Sequence, residues 1–177
     1  VSPQAAHFLG LLVRIADARR ILEIGTLGGY STICLARAAG PESSVVTLEY
    51  EPRHAEIAAA NLRRAGVSDR VEIVVGAALD TLPTLSGRFD FVFIDADKEN
   101  NSAYVNWAIQ LSRPGTVIVV DNVVRNGRIV APEPEDLQAR AVRDMLEMMG
   151  RHPELDTAAI QTVGVKGWDG FAVALVR

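Results

Sequence analysis

Ionisable groups stand where buried strands should simply turn. FVFIDADKEN, Phe91 to Asn100, carries a run suited to a buried strand straight into Asp95, Asp97, Lys98 and Glu99. An unpaired buried charge costs several kcal/mol or shifts its pKa, so such groups need water, a counter-charge or a metal. A second apolar run, GTVIVVDNV, ends on Asp121 and Asn122. Carboxyl ends of strands in an open α/β sheet line its ligand crevice, so Asp95, Asp121 and Asn122 can converge. Two carboxylates and an amide form a hard, all-oxygen set suited to Mg²⁺, with room left for water or substrate oxygens.

Lys98 follows Asp95 by about one turn, close enough to reach a metal-bound hydroxyl. A lysine amine is an effective base near neutrality only when its neutral form is favoured, and a neighbouring divalent cation favours it. An isolated DADK reads as a surface Lys98 balancing Asp97 and Glu99; the DN pair at 121–122 shifts that reading toward chemistry. Zinc is disfavoured, because the chain has one cysteine and three scattered histidines, His7, His54 and His152, read as surface or cap residues. Cys34 reads as a small packed side chain.

LEIGTLGGYS, Leu22 to Ser31, places glycines where a strand turns into a helix, so backbone N–H groups can approach a ligand. Gly25, Gly28 and Gly29 give G-x-x-G-G rather than the G-x-G-x-x-G of dinucleotide binding, which suits a pyrophosphate poorly. Glu49, ending the next strand run, can accept hydrogen bonds from the hydroxyls of a ribose. Glu23, inside a buried strand, requires donors, which the cationic amino-acid end of S-adenosylmethionine could supply. For the loop alone, close strand-to-helix packing is the alternative.

Positioning these groups requires an alternating chain. Strand runs lie at 19–26, 44–51, 70–77, 89–97, 115–123, 156–164 and 170–177. Between the first five fall helices at Tyr30 to Ala39, Pro52 to Ala65 and Asn101 to Leu111, and a short turn at Ala78 to Pro83. Continuous apolar strands with helical crossovers predict a parallel sheet covered on both faces. After Asp121 a polar loop leads to a helix, Leu137 to Met149, whose Met145, Met148 and Met149 read as packing residues. GVKGWDG then joins the last two runs as a hairpin, with Asp169 and Gly170 supplying its positive-φ positions and the final strand antiparallel.

The chain has 177 residues, about half of them hydrophobic, with 18 Lys and Arg against 22 Asp and Glu, net −4. That length and composition predict a single globular domain over 1–177. The acidic balance offers no footprint for wrapping a nucleic-acid backbone. No apolar run is long enough to span a membrane, and the first residues lack the features of a secretory leader, so the expected location is cytoplasmic.

Together SPQAAHFLGLLVR, ARRILEIGTLGGYS, VTLEYEP, VVGAALDTLP, FDFVFIDADK and VVDNVVRNG resemble, in order and spacing, the cation-dependent O-methyltransferases, the catechol and caffeoyl-CoA O-methyltransferase-like family in its bacterial branch. The resemblance implies a Rossmann-like seven-stranded sheet, order 3-2-1-4-5-7-6, binding S-adenosylmethionine over strands one and two. It implies that Glu23, Gly25, Thr26 and Ser31 line the methionine and ribose end, that Glu49 holds the ribose hydroxyls, and that Ala77 meets the adenine. Asp95 and Asp97 join the cofactor set. Asp95, Asp121 and Asn122 hold the cation, Mg²⁺ or another such as Mn²⁺ or Ca²⁺, Lys98 is the base, and Asn126 meets the substrate.

The implied acceptor is a small catechol-like aromatic hydroxyl. Hydroxyuridine in tRNA is the alternative for the same site, and a nicotinamide-dependent oxidoreductase or a non-catalytic binding module are the competing classes. A homodimer is implied, with the hairpin around Trp168 near its interface. Two departures limit the transfer: catechol enzymes of mammals carry an aromatic residue in place of Asp97, and their acidic gate has no match in VAPEPEDLQ. The family's N-terminal lid helices are expected to be absent, since the sequence starts at Val1.

Overall fold

The computed structural model describes residues 1–164 and 167–177. Seven strands, β1 (Arg20–Ile24), β2 (Ser44–Glu49), β3 (Val71–Val75), β4 (Phe89–Ile94), β5 (Ser112–Asp121), β6 (Leu155–Gly164) and β7 (Gly167–Val176), form one sheet. Their order is β3-β2-β1-β4-β5-β7-β6, as the resemblance implied. The first five pair with one another in parallel, while β7 runs antiparallel to both β5 and β6.

Side-chain alternation along the strands separates two cores. On one face Ile21, Phe91, Phe93 and Val119 pack with Leu9 and Val13 of α1 (Pro3–Ile15) and Leu35 of α2 (Tyr30–Ala39). The N-terminal segment, which carried no helix assignment in the sequence, is thus a helix. Ser2 caps it by accepting from the Ala5 N–H, and Pro3 at its start loses no intrahelical bond. A third helix, α3 (Pro52–Ala65), follows β2 and buries Leu62 in the same core.

The opposite face buries Leu22, Ile24, Val92, Ile94, Ile118 and Val120. Beyond the short α4 (Ala78–Thr81), it is covered by α5 (Asn101–Gln110) and α6 (Leu137–Arg151), which contribute Val105, Val142, Met145 and Met149. Met145 and Met149 are fully buried and Met148 packs at the margin, as expected of packing residues.

Two boundaries differ from expectation for local reasons. The strand expected at 115–123 ends at Asp121, because Asn122 turns left-handed at φ 62°. The hairpin's reversal falls earlier in the chain than Asp169 and Gly170 would place it. Gly164 pairs with Gly167, so Asp169 and Gly170 lie inside β7 opposite Thr162 and Gln161 and are not turn residues. Val165 and Lys166 of that hairpin lie outside the described residues.

Register aligns the future site. Ile24 pairs with Leu48 and Ile94, and Ile94 pairs with Val120. The residues one step beyond, Glu49, Gly25, Asp95 and Asp121, therefore form a row along the carboxyl edge of the sheet, spaced by the ~4.8 Å between strands.

Candidate active site

The row opens onto a cavity of about 760 Å³ whose lining includes Gly25, Thr26, Ser31, Glu49, Ala77, Asp95 and Asp97. Gly25 makes its floor possible. At φ 101° it approaches β4 so closely that a Cβ would stand 2.3 Å from the Asp95 carbonyl oxygen, so any side chain there would prise the loop off the strand. The following loop enters α2 at Gly29, which has φ 79° and no side-chain cap. The first turn of α2 thus presents backbone N–H groups beside Tyr30 and Ser31 on the cavity wall.

Glu49 is nearly buried, and its carboxylate is held from two sides. Leu27 N–H donates to Oε2 at 2.7 Å and Glu51 N–H to Oε1 at 2.9 Å. His54, on the first turn of α3, brings Nδ1 to 3.4 Å from Oε1 and also lines the cavity. Its reading as a surface or cap residue is incomplete: the chain reversal between β2 and α3 folds it back over Glu49. The other two histidines stand apart, His7 exposed on α1 and His152 capping the end of α6.

Glu23 lies behind the cavity wall with no exposed surface. The Thr32 and Thr47 hydroxyls both donate to Oε2, Thr47 at 2.7 Å, while Oε1 is buried with no partner. Burial raises its pKa to about 7, against the opposing hydroxyls of Ser31, Thr32 and Thr47. Thr26 tightens the same region through a 2.6 Å hydroxyl contact with Thr47.

At the other end of the row, Asp95 Oδ1 accepts from Lys98 Nζ at 3.0 Å. Lys98 is only 7% exposed, which rules out a solvated surface lysine. Asp121, also buried, has its pKa raised to about 6, first by burial and then by the neighbouring Asp95 charge. The Asn122 N–H and the Lys98 ammonium oppose that rise. Among the described residues no three His, Cys, Asp or Glu side chains cluster as metal ligands; this corner offers two carboxylates beside an amide.

Asp97 is exposed and fixed by Tyr104 and Asn100, each donating to one of its oxygens at 2.5 Å. Burial, then Asp97, pushes the Tyr104 phenol above its usual range. Asn126 is exposed in the turn Arg125–Gly127 at φ 56° and does not line the cavity. One residue of this corner, which the sequence suggests only as a turn residue, has a part in the site. Asp169 of β7 accepts at Oδ1 from the N–H groups of Val124, Arg125 and Gly170, at 2.9–3.0 Å, and at Oδ2 from Asn122 Nδ2 at 3.2 Å.

A model of the O-methyltransferase family matches residues 1–174. The chain belongs to that family. Among its relatives, the catechol O-methyltransferase of Mycobacterium tuberculosis is 68% identical over the whole chain and 80% of that protein. A second catechol O-methyltransferase, from Niastella koreensis, is 45% identical over the whole chain and 82% of its own length. Among solved structures, the Bacillus cereus O-methyltransferase in complex with SAH is 51% identical, covered to 82%, and superposes on all of this chain with a TM-score of 0.97.

Proposed function

We propose that this O-methyltransferase transfers a methyl group from S-adenosylmethionine to one hydroxyl of a small catechol-like aromatic acceptor, with a divalent cation, Mg²⁺ first. One observation carries the reading: a cavity able to take a nucleoside cofactor meets, at Asp95, a partly buried corner of two mutually repelling carboxylates, an amide and a lysine.

The residues fit both groups. For the cofactor, the uncapped start of α2 suits the methionine carboxylate, and the acidic Glu49 suits the ribose hydroxyls. Thr26 and Ser31 shape the wall between those ends, Ala77 borders the adenine side, and Asp97 closes the wall near the methionine. Glu23 supports the loop from behind through its threonines. For the cation, Asp95, Asp121 and Asn122 supply hard oxygen donors, and Asp95 and Asp121 each gain from a positive charge between them.

When bound, the sulfonium donor supplies an electrophilic methyl and the cation acidifies a coordinated hydroxyl. The chain's own residues do the rest. Lys98, held by Asp95, accepts the hydroxyl proton at Nζ once its own proton has been released. Gly25 and the α2 turn fix the donor, while the Asp95–Asp121 corner fixes the acceptor, so the two meet in line without an entropically costly encounter.

In the same reading residues 1–177 act as one methyltransferase domain in the cytoplasm, where the lone thiol Cys34 stays reduced. No helix among the described residues is long and apolar enough to cross a membrane. The protein pairs as a homodimer over the β6–β7 edge, which exposes Ile160, Val163 and Trp168. Methylation of catechol by chelator-stripped enzyme, with Mg²⁺ restored stepwise, tests the function. The proposal requires activity to return with the metal, and full activity under exhaustive chelation refutes it.

A further inference from the structure

The carboxylate of Asp169 makes four hydrogen bonds, and their arrangement is informative. Oδ1 gathers three backbone N–H groups, from Val124 and Arg125 of the loop after β5 and from Gly170 of its own strand. Oδ2 is left for one partner, the side-chain Nδ2 of Asn122. That loop is hard to hold otherwise, since Asn122, Arg125 and Asn126 all adopt left-handed backbone at φ 62°, 52° and 56°. A side chain on β7 thus folds a segment that belongs to the end of β5.

A carboxylate can only accept hydrogen bonds, so it dictates which end of the Asn122 amide faces it. Nδ2 must point to Asp169, and Oδ1 must point away. We infer that Asp169 is a positioning residue for the cation: it locks the Asn122 amide with its oxygen, rather than its nitrogen, presented toward Asp95 and Asp121. This rests on the reading of Asn122 as a cation ligand. Polar groups behind metal ligands commonly govern affinity by ~10- to 100-fold through such orientation.

The test swaps one atom. Asp169→Asn keeps shape and an oxygen for the three N–H groups, but sets an NH₂ against the Asn122 NH₂. The amide of Asn122 then turns over and presents nitrogen to the cation. Calorimetric titration of the full chain with Mn²⁺ should show affinity lowered ~10-fold or more in Asp169→Asn, with the SAH affinity unchanged. Adding Asn122→Asp to that variant should restore Mn²⁺ binding, because one oxygen of the introduced carboxylate can accept from the new amide while the other faces the cation.

Unchanged Mn²⁺ affinity in folded Asp169→Asn overturns the inference, as does a parallel loss of SAH binding that Asn122→Asp does not rescue. Asn122→Ala separates the two layers. If it too leaves Mn²⁺ affinity unchanged, the ligand reading of Asn122 has failed; if it alone weakens binding, only the role of Asp169 has. Should Asp169→Asn not fold, the side-chain amide resonance of Asn122 in the wild type decides. It must shift on adding Mg²⁺ and remain protected from solvent exchange. Rapid exchange in the Mg²⁺-bound state overturns the inference, and an unmoved signal overturns the ligand reading and the inference with it.

Discussion

The two ends of the acidic row solve the problem of a carboxylate at a strand end in opposite ways. Glu49 is satisfied from within: two backbone N–H groups reach it, and His54 leans on it. Asp95 and Asp121 raise each other's cost, and the protein offers them mainly Lys98 and one backbone N–H. The first end is a finished hydrogen-bonding surface awaiting a ligand of matching shape. The second is electrostatically incomplete, which is why the proposed cation is assigned to it. Glu23 lies between these cases, with hydroxyl donors on one oxygen and none on the other.

Substitutions should separate the two ends. Asp121→Ala should lower turnover by ~10³-fold or more, through loss of several kcal/mol of charge stabilisation, while calorimetry finds SAH bound within about twofold of wild type. Equal losses of both would erase the distinction. Lys98→Met should reduce kcat by ~10²- to 10⁴-fold, the usual range for a general base, again sparing SAH; a change confined to KM would deny Lys98 that role. At the other end, Glu49→Gln should weaken SAH about 10-fold, the equivalent of ~1.4 kcal/mol, and leave Mn²⁺ affinity in place.

Glu23 sharpens the comparison through pH. Its folded pKa of about 7 lies above the ordinary 4.5, so between those values the native state holds a proton that the unfolded chain has released. The contribution of this group to the stability of the metal-free protein should therefore be greatest below that ordinary value and be lost as pH rises through about 7, by at most ~3 kcal/mol. Urea titrations of Glu23→Gln should show a flatter profile over that window. A slope identical to wild type would mean that the unpartnered Oε1 finds compensation elsewhere.

Much of this arrangement is legible in the sequence, for a physical reason. Apolar runs of strand length ending in DADK and DN announce both the sheet and the edge where the charges gather, because strands buried on both faces can expose ionised groups only at their ends. Lys98, Asp95 and Asp121 are accessible in that way. Asp169 is not, since its role comes from β7 register against a loop 44 to 47 residues earlier, and an Asp-Gly pair near a hairpin already has an ordinary local role as a turn. His54 lacks ligand spacing and so reads as a surface or cap residue, while its place beside Glu49 depends on the chain reversal between β2 and α3. Asn126 is marked only by the resemblance, and it stands exposed on its turn outside the cavity lining.

The most direct test is the anomalous scattering of Mn²⁺ in crystals grown with SAH. The account predicts one strong peak in contact with oxygens of Asp95, Asp121 and Asn122, at the edge of the SAH pocket. A bound SAH with no peak there, or with manganese held elsewhere, would contradict it.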